Sequence, residues 1–285
     1  MGGSKSAHKH PPELDSPWRS MIWDKEKIEQ NLRDFNLNKP DVGFVRILLV
    51  GGVGAGKSSF INSVNNAFQG RITSGALVDG TGGPSFTKKY KNHYIEGKNG
   101  SRLPFIFNNL MGLENEESGV TEVDIFNAMK GCLEEGYKFN PGSPVSSNDI
   151  GYKNNPSLED KTSCLVNIIA ADKISLISDG VIRKLKAIRQ EATNLDIPQV
   201  IVMTRPDLAC PLVNENIQKI YSSQKIKAKM QECSNRLGIP MNHIFPVKNY
   251  HEEIDTNDDI DVLILKAVDQ IVNIAADALK IKSSV

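Results

Sequence analysis

The spacing of apolar and polar positions divides the chain into a polar start, one amphipathic segment and a long series of alternating strands and helices. Residues 1–17 are polar and proline-containing and read as a flexible leader. In the segment 18–40, Ile28, Leu32 and Phe35 recur at roughly helical spacing behind Asp24, which is placed as an N-cap. A run of β-branched and large apolar residues over 44–50 predicts a strand buried on both faces. A helix over 57–68 follows, with Phe60, Ile61, Val64 and Phe68 along one face. Residues 71–84 are glycine-rich without periodicity and read as a mobile loop.

Further along, strands are expected at 88–95 and 103–107, a short helix at 122–129, and a third buried strand at 164–170. A helix at 176–195, a strand at 200–203, mostly helix over 214–237, a last strand at 243–247 and a closing helix at 259–279 complete the series. A proline-, serine- and asparagine-rich insertion occupies 134–162, and insertions of this length are often functional or disordered. The alternation predicts an α/β fold over 41–285, a mostly parallel sheet covered by helices on both faces.

Composition narrows the partners. The 285 residues carry 34 basic and 34 acidic side chains, so no global charge favours nucleic acid. Arg183, Lys184, Lys186 and Arg189 recur at helical spacing, as on a solvated face. Cys132, Cys164, Cys210 and Cys233 form no CxxC pair, which speaks against a zinc site or disulfide framework and fits a reducing, cytoplasmic setting. No apolar run reaches the roughly 18–20 residues of a membrane span, and no apolar secretory segment opens the chain. The start MGGSKS does match the N-myristoylation pattern with Gly2 as acceptor, and a single acyl chain gives weak, reversible membrane contact.

Gly51, Gly52, Val53, Gly54, Ala55, Gly56, Lys57 and Ser58 fit G-x-x-x-x-G-K-[ST] between a buried strand and an amphipathic helix. A triphosphate needs backbone N–H groups wrapped around it, hence glycines where side chains would collide. The helix N-terminus, which includes Ser59, points at the phosphates. Lys57 reaches the β- and γ-phosphates, and the Ser58 hydroxyl is a ligand for Mg²⁺. These residues predict a P-loop nucleotide-binding domain.

The base is read further on. The strand at 200–203 runs into Thr204, Arg205, Pro206 and Asp207, a variant of [NT]-K-x-D. A carboxylate there accepts from guanine N1–H and its amine, which adenine lacks, so Asp207 favours GTP or GDP. Arg205 replaces a lysine whose stem covers the purine, and an arginine can pack similarly. Lys248 and Asn249 occupy the last loop, where backbone N–H groups meet guanine O6 in GTPases.

The catalytic half departs from the pattern. A GTPase places D-x-x-G after its third strand; here Gly112 is in register and Asn109 stands for the aspartate. An amide brings no negative charge to Mg²⁺. Leu113 follows, where a glutamine would orient the attacking water, and Glu114 reads as a solvated loop residue. Of Thr81 and Thr87, Thr87 is the expected switch threonine on Mg²⁺.

SPWR with Ile22-Trp23, GGVGAGKSSFINSV, LPFIFNNLMGLE and PVKNY together resemble the interferon-induced protein 44 family, in particular its fish 44-like members, from about Pro17 to near Lys280. The resemblance implies a Ras-like or dynamin-superfamily-like G domain, GTP binding, cytoplasmic location and a role in the interferon-driven antiviral response. It carries over Gly51 to Ser58 as phosphate binders and Asp207 as base reader. Where family members often have aspartate and threonine before MGLE, this chain has Asn109 and Leu110. The additional N-terminal domain of many members is not expected from the short leader.

The reading is a GTP/GDP-binding protein with weak or absent hydrolysis that signals to unidentified protein partners through loops 71–84 and 109–118. The rivals are a slow GTPase completed by self-association, a P-loop ATPase, and an interaction module that no longer exchanges nucleotide.

Overall fold

The computed structural model describes residues 13–39, 42–73, 75, 89–97, 100–110, 112–114, 120–140 and 143–282. Gly2, Thr81, Thr87 and most of the loop at 71–84 lie outside these residues.

The apolar runs become strands because every position along them is buried. β1 (Val45–Val50) and β4 (Cys164–Ala170) are buried throughout. Along β1, Val45, Ile47 and Leu49 enter one core, while Leu48 and Val50 enter the other. β2 (Lys91–Glu96), β3 (Arg102–Asn109), β5 (Gln199–Thr204) and β6 (Ile244–Val247) complete a sheet ordered β2-β3-β1-β4-β5-β6. All pairings are parallel except β2 with β3.

α1 (Lys25–Arg33), α2 (Lys57–Gln69) and α8 (Asp258–Lys282) cover one face. α3 (Glu122–Met129), α4 (Asp179–Asn194) and α7 (Gln224–Leu237) cover the other. Lys25 ties α1 to α8 through Asp261 at 2.7 Å and Asp258 at 2.9 Å. Asp24 accepts from the Lys27 amide at 3.0 Å, the cap expected of it. The result is the expected P-loop α/β fold in its Ras-like form, with the glycine-rich turn between β1 and α2.

Two helical stretches differ from expectation. α4 begins only at Asp179, because Ser178 caps it through the Val181 amide and a 3₁₀ turn, Ile174–Leu176, precedes it. The stretch expected as mostly helix over 214–237 is divided. Beyond the short α5 (Pro206–Ala209), it holds only the end of α6 (Pro211–Glu215), then a 3₁₀ turn, Ile217–Tyr221, and then α7. Asn216 and Ser223 are extended, and their side chains accept from the Gln218 and Ile226 amides. Such local bonds compete with a continuous helix.

The insertion is packed onto the core without forming a helix or strand among its described residues. Tyr137, Phe139 and Val145 are buried. Tyr90 and Tyr137 are linked at 2.8 Å through backbone, and Val145 donates to the buried Asp124 carboxylate at 2.8 Å. Arg46, buried on β1, donates to the Glu159 carbonyl at 3.0 Å and anchors the far end of the insertion to the sheet.

Candidate nucleotide site

The cradle sits where β1 ends. Gly51 lies so close to β4 that an added Cβ would be 2.4 Å from the Ile168 carbonyl. Gly54 and Gly56 have positive φ (68° and 99°), which a side chain would strain. Gly56 is the N-cap of α2 and, among the described residues, no side chain caps this helix and no acid occupies its first turn. α1, α3, α4 and α7 are each capped by a side chain. The first amides of α2, including those of Lys57, Ser58 and Ser59, thus remain suited to an anion.

Lys57 is buried, and its ammonium donates to the Gly51 and Gly52 carbonyls at 3.1 and 3.2 Å. The loop is held from the base side as well. Thr204, at the end of β5, donates to the Ala55 carbonyl at 2.7 Å, and Asn249, after β6, donates to the Gly56 carbonyl at 3.2 Å. Three side chains therefore bind the carbonyl side of the loop and keep it pre-shaped.

Arg205 has a left-handed backbone (φ 56°, ψ 42°) that turns the chain sharply out of β5. Conformations of this kind concentrate at functional sites. Its guanidinium lies 4.0 Å from Asp172, whose Oδ1 is buried without a partner among the described residues. Asp207, in the first turn of α5, is half-buried and shares with Lys248 the lining of a cavity of about 290 Å³. Lys248 pairs with Glu253 at 2.8 Å. Burial alone would raise the Glu253 carboxyl, but the His251 amide and Lys248 outweigh it and hold it down to about 2.

On the opposite flank, Leu113 continues β3 beside the loop. Its amide donates to the Gly51 carbonyl at 3.0 Å, and its carbonyl accepts from Val53 at 3.4 Å. Gly112 is flush with the loop, since an added Cβ would be 2.5 Å from Val53 Cγ2. The Leu113 side chain is buried in the core and has no polar atom with which to orient a water. Lys184 does not extend into solvent as its helical spacing suggested: it is half-buried, and its ammonium donates to the Glu114 carbonyl at 3.0 Å.

At the expected Mg²⁺ position an amide stands where a carboxylate would. Asn109 Nδ2 donates to Ser58 Oγ at 2.9 Å, both residues being buried, and Asn109 Oδ1 has no partner among the described residues. Among the described residues no group of three His, Cys, Asp or Glu could hold a metal ion. The other expected ligand, Thr87, lies outside those residues.

Two supporting residues lie in quoted motifs but were given no role of their own in the sequence reading. Ser63 accepts from the Tyr250 amide at 3.0 Å, and Tyr250 donates to Asp261 Oδ1 at 2.6 Å, so the loop after β6 is fixed to both α2 and α8. The signal for Ser63 was a polar residue inside the buried face of Phe60, Ile61 and Val64.

Interferon-induced protein 44 of Homo sapiens is 36% identical over 237 residues, 83% of this chain and 53% of that protein. Interferon-induced protein 44-like of Homo sapiens is 32% identical over 258 residues, 90% of this chain and 57% of that protein. The chain spans about half the length of the curated relatives it matches. It matches no protein-family model. Among solved structures it is similar to Toc33 from Arabidopsis thaliana in complex with GDP and Mg²⁺, at 14% identity and a TM-score of 0.49, over 89% of this chain and 92% of that one.

Proposed function

From the premise that the chain belongs to the interferon-induced protein 44 family over the region shared with these relatives, we propose that it is a guanine-nucleotide-binding protein of the interferon-driven antiviral response. The observation that carries this reading is the uncapped N-terminus of α2, with Lys57 seated behind a loop of three glycines at positive φ. Gly51 to Ser59 hold the phosphates. Asp207 reads the guanine edge, Thr204, Arg205 and Asn249 shape its surroundings, and Lys248 lines the same cavity. Gly112 borders the γ-phosphate end.

Hydrolysis is slow or absent, because phosphoryl transfer needs an oriented water and metal charge. Leu113 is buried, and an amide stands at Asn109. The nucleotide state is passed to a protein partner. The protein acts in the cytoplasm; among the described residues no helix is long and apolar enough to cross a membrane, and an acyl group on Gly2 would add only weak contact. A second reading, a slow GTPase completed by another copy, is favoured by the same residue, since leucine cannot itself orient a water.

Binding of fluorescent GDP, GTP and ATP to the purified protein and to Lys57→Ala tests the proposal. Guanine-selective binding that disappears in the variant is expected. Equal affinity for ATP, or none for any nucleotide, overturns it. Single-turnover phosphate release separates the second reading, which requires a rate that rises with protein concentration.

A further inference from the structure

We propose that Lys25, on α1, positions the base end of the nucleotide site by balancing the buried charge of Asp261. This rests on the nucleotide-binding reading above. Asp261 lies in the first turn of α8 and is wholly buried. A carboxylate away from water needs a cation and donors around it. Its Oδ2 faces the Lys25 ammonium at 2.7 Å, and its Oδ1 accepts from the Tyr250 hydroxyl at 2.6 Å. The other acid on Lys25, Asp258 at 2.9 Å, is exposed, and pairs of that kind contribute little.

The Tyr250 hydroxyl has a single proton. Given to Asp261, it leaves the oxygen lone pairs to accept from the Asn257 amide at 2.8 Å. Burial, and then the bond to Asp261, raises this phenol above its ordinary value and keeps the proton in place. Asn257 lines the same cavity as Asp207 and Lys248, and its side chain accepts from the Asp259 and Ile260 amides at the start of α8. Tyr250 is thus the fixed point of the loop between β6 and α8, whose near end also reaches Gly56 through Asn249.

The balancing charge arrives from a segment, 18–40, that carries no nucleotide motif of its own. Without Lys25, Asp261 holds an unbalanced buried charge and must take up a proton or turn toward water. Either change loosens its hold on Tyr250, and with it the wall of the base cavity at Asn257. The phosphate loop keeps Lys57 and Thr204, so the loss falls on recognition of the base.

The test is the ratio of GDP to ADP affinity, from titrations of the fluorescent nucleotides, in the full chain, in Lys25→Met and in Lys25→Met with Asp261→Asn. A smaller folded fraction weakens both affinities alike, so a merely structural role leaves the ratio unmoved. Lys25→Met should lower the ratio by about tenfold. Asp261→Asn removes the stranded charge and keeps an oxygen for Tyr250, and the double variant should return to within about threefold of the unmodified chain. An unchanged ratio in Lys25→Met, or a double variant no better than the single one, overturns the inference and leaves nucleotide binding intact. Equal affinity of the unmodified chain for GDP and ADP, or none for either, overturns the reading beneath it as well. If Lys25→Met does not fold, Tyr250→Phe decides, since it removes the hydroxyl through which the charge acts: the same drop in ratio upholds the inference and an unchanged ratio overturns it.

Discussion

The Leu113 amide donates to the Gly51 carbonyl at 3.0 Å, so the segment after β3 runs alongside the phosphate loop as one more rung of the sheet. Leucine suits this position because its side chain is buried beneath the loop. The residue that lets the two backbones meet is Gly112.

Gly112→Ala should lift this segment off the cradle. The new Cβ would lie 2.5 Å from Val53 Cγ2 and 2.8 Å from Val53 Cα, and backbone cannot yield as a flexible side chain does. Overpacking of this kind costs about 1–3 kcal/mol. Urea denaturation should show the loss, and faster amide exchange at Leu113 should accompany it. Unchanged stability and protection would mean that the contact is loose in solution.

Thr204→Val keeps the shape and removes the hydroxyl that serves the Ala55 carbonyl at 2.7 Å. The buried carbonyl is left unpaired, at a cost of about 1–3 kcal/mol. Both thermal stability and nucleotide affinity should decline, since the loop loses one of its three supports. A variant with reduced stability and full affinity would show that Thr204 is structural only.

Asp207→Asn should exchange base preference. Hydrogen bonds to charged groups contribute about 1.5–3 kcal/mol, so GDP affinity should fall roughly tenfold to a hundredfold. Xanthosine diphosphate carries a carbonyl where guanine carries the amine, and an amide side chain can donate to it. Competition between the two diphosphates reads the change directly, and an unaltered preference would remove Asp207 from the base site.

Acid stability should depend on Glu253. Its folded value, about 2, lies below the ordinary 4.5, so its contribution is present in full above 4.5 and disappears as the pH falls toward 2. Glu253→Gln should therefore lower the melting temperature at pH 7 and flatten its decline between pH 4.5 and 2. Parallel curves for the two proteins would place the acid sensitivity elsewhere.

The parts of this molecule that were legible in its sequence are those set by local pattern. The run ending at Val50, the glycines before Lys57 and the spacing of Phe60, Ile61 and Val64 each specify one strand, one loop and one helix face. The divided stretch before α7 was less readable because Asn216 and Ser223 each start a new helical turn by capping it with their own side chains, and such residues are equally common where no break occurs. Least readable were contacts between distant segments. Asn109 stood out as a departure from a motif, but only the fold brings it to Ser58, 51 positions away. The Asn249 contact with Gly56 spans 193 positions, and nothing local to either residue announces it.

The last strand has a consequence for assembly. Pro246 within β6 has no amide hydrogen to offer a neighbour, and Arg19 reaches over from the N-terminal segment to the Ile244 carbonyl at 2.8 Å. Arg19 is itself held over the rings of Trp18 and Tyr221. At this margin a foreign strand therefore meets a proline where it needs a donor and an arginine already seated on a carbonyl where it needs an acceptor.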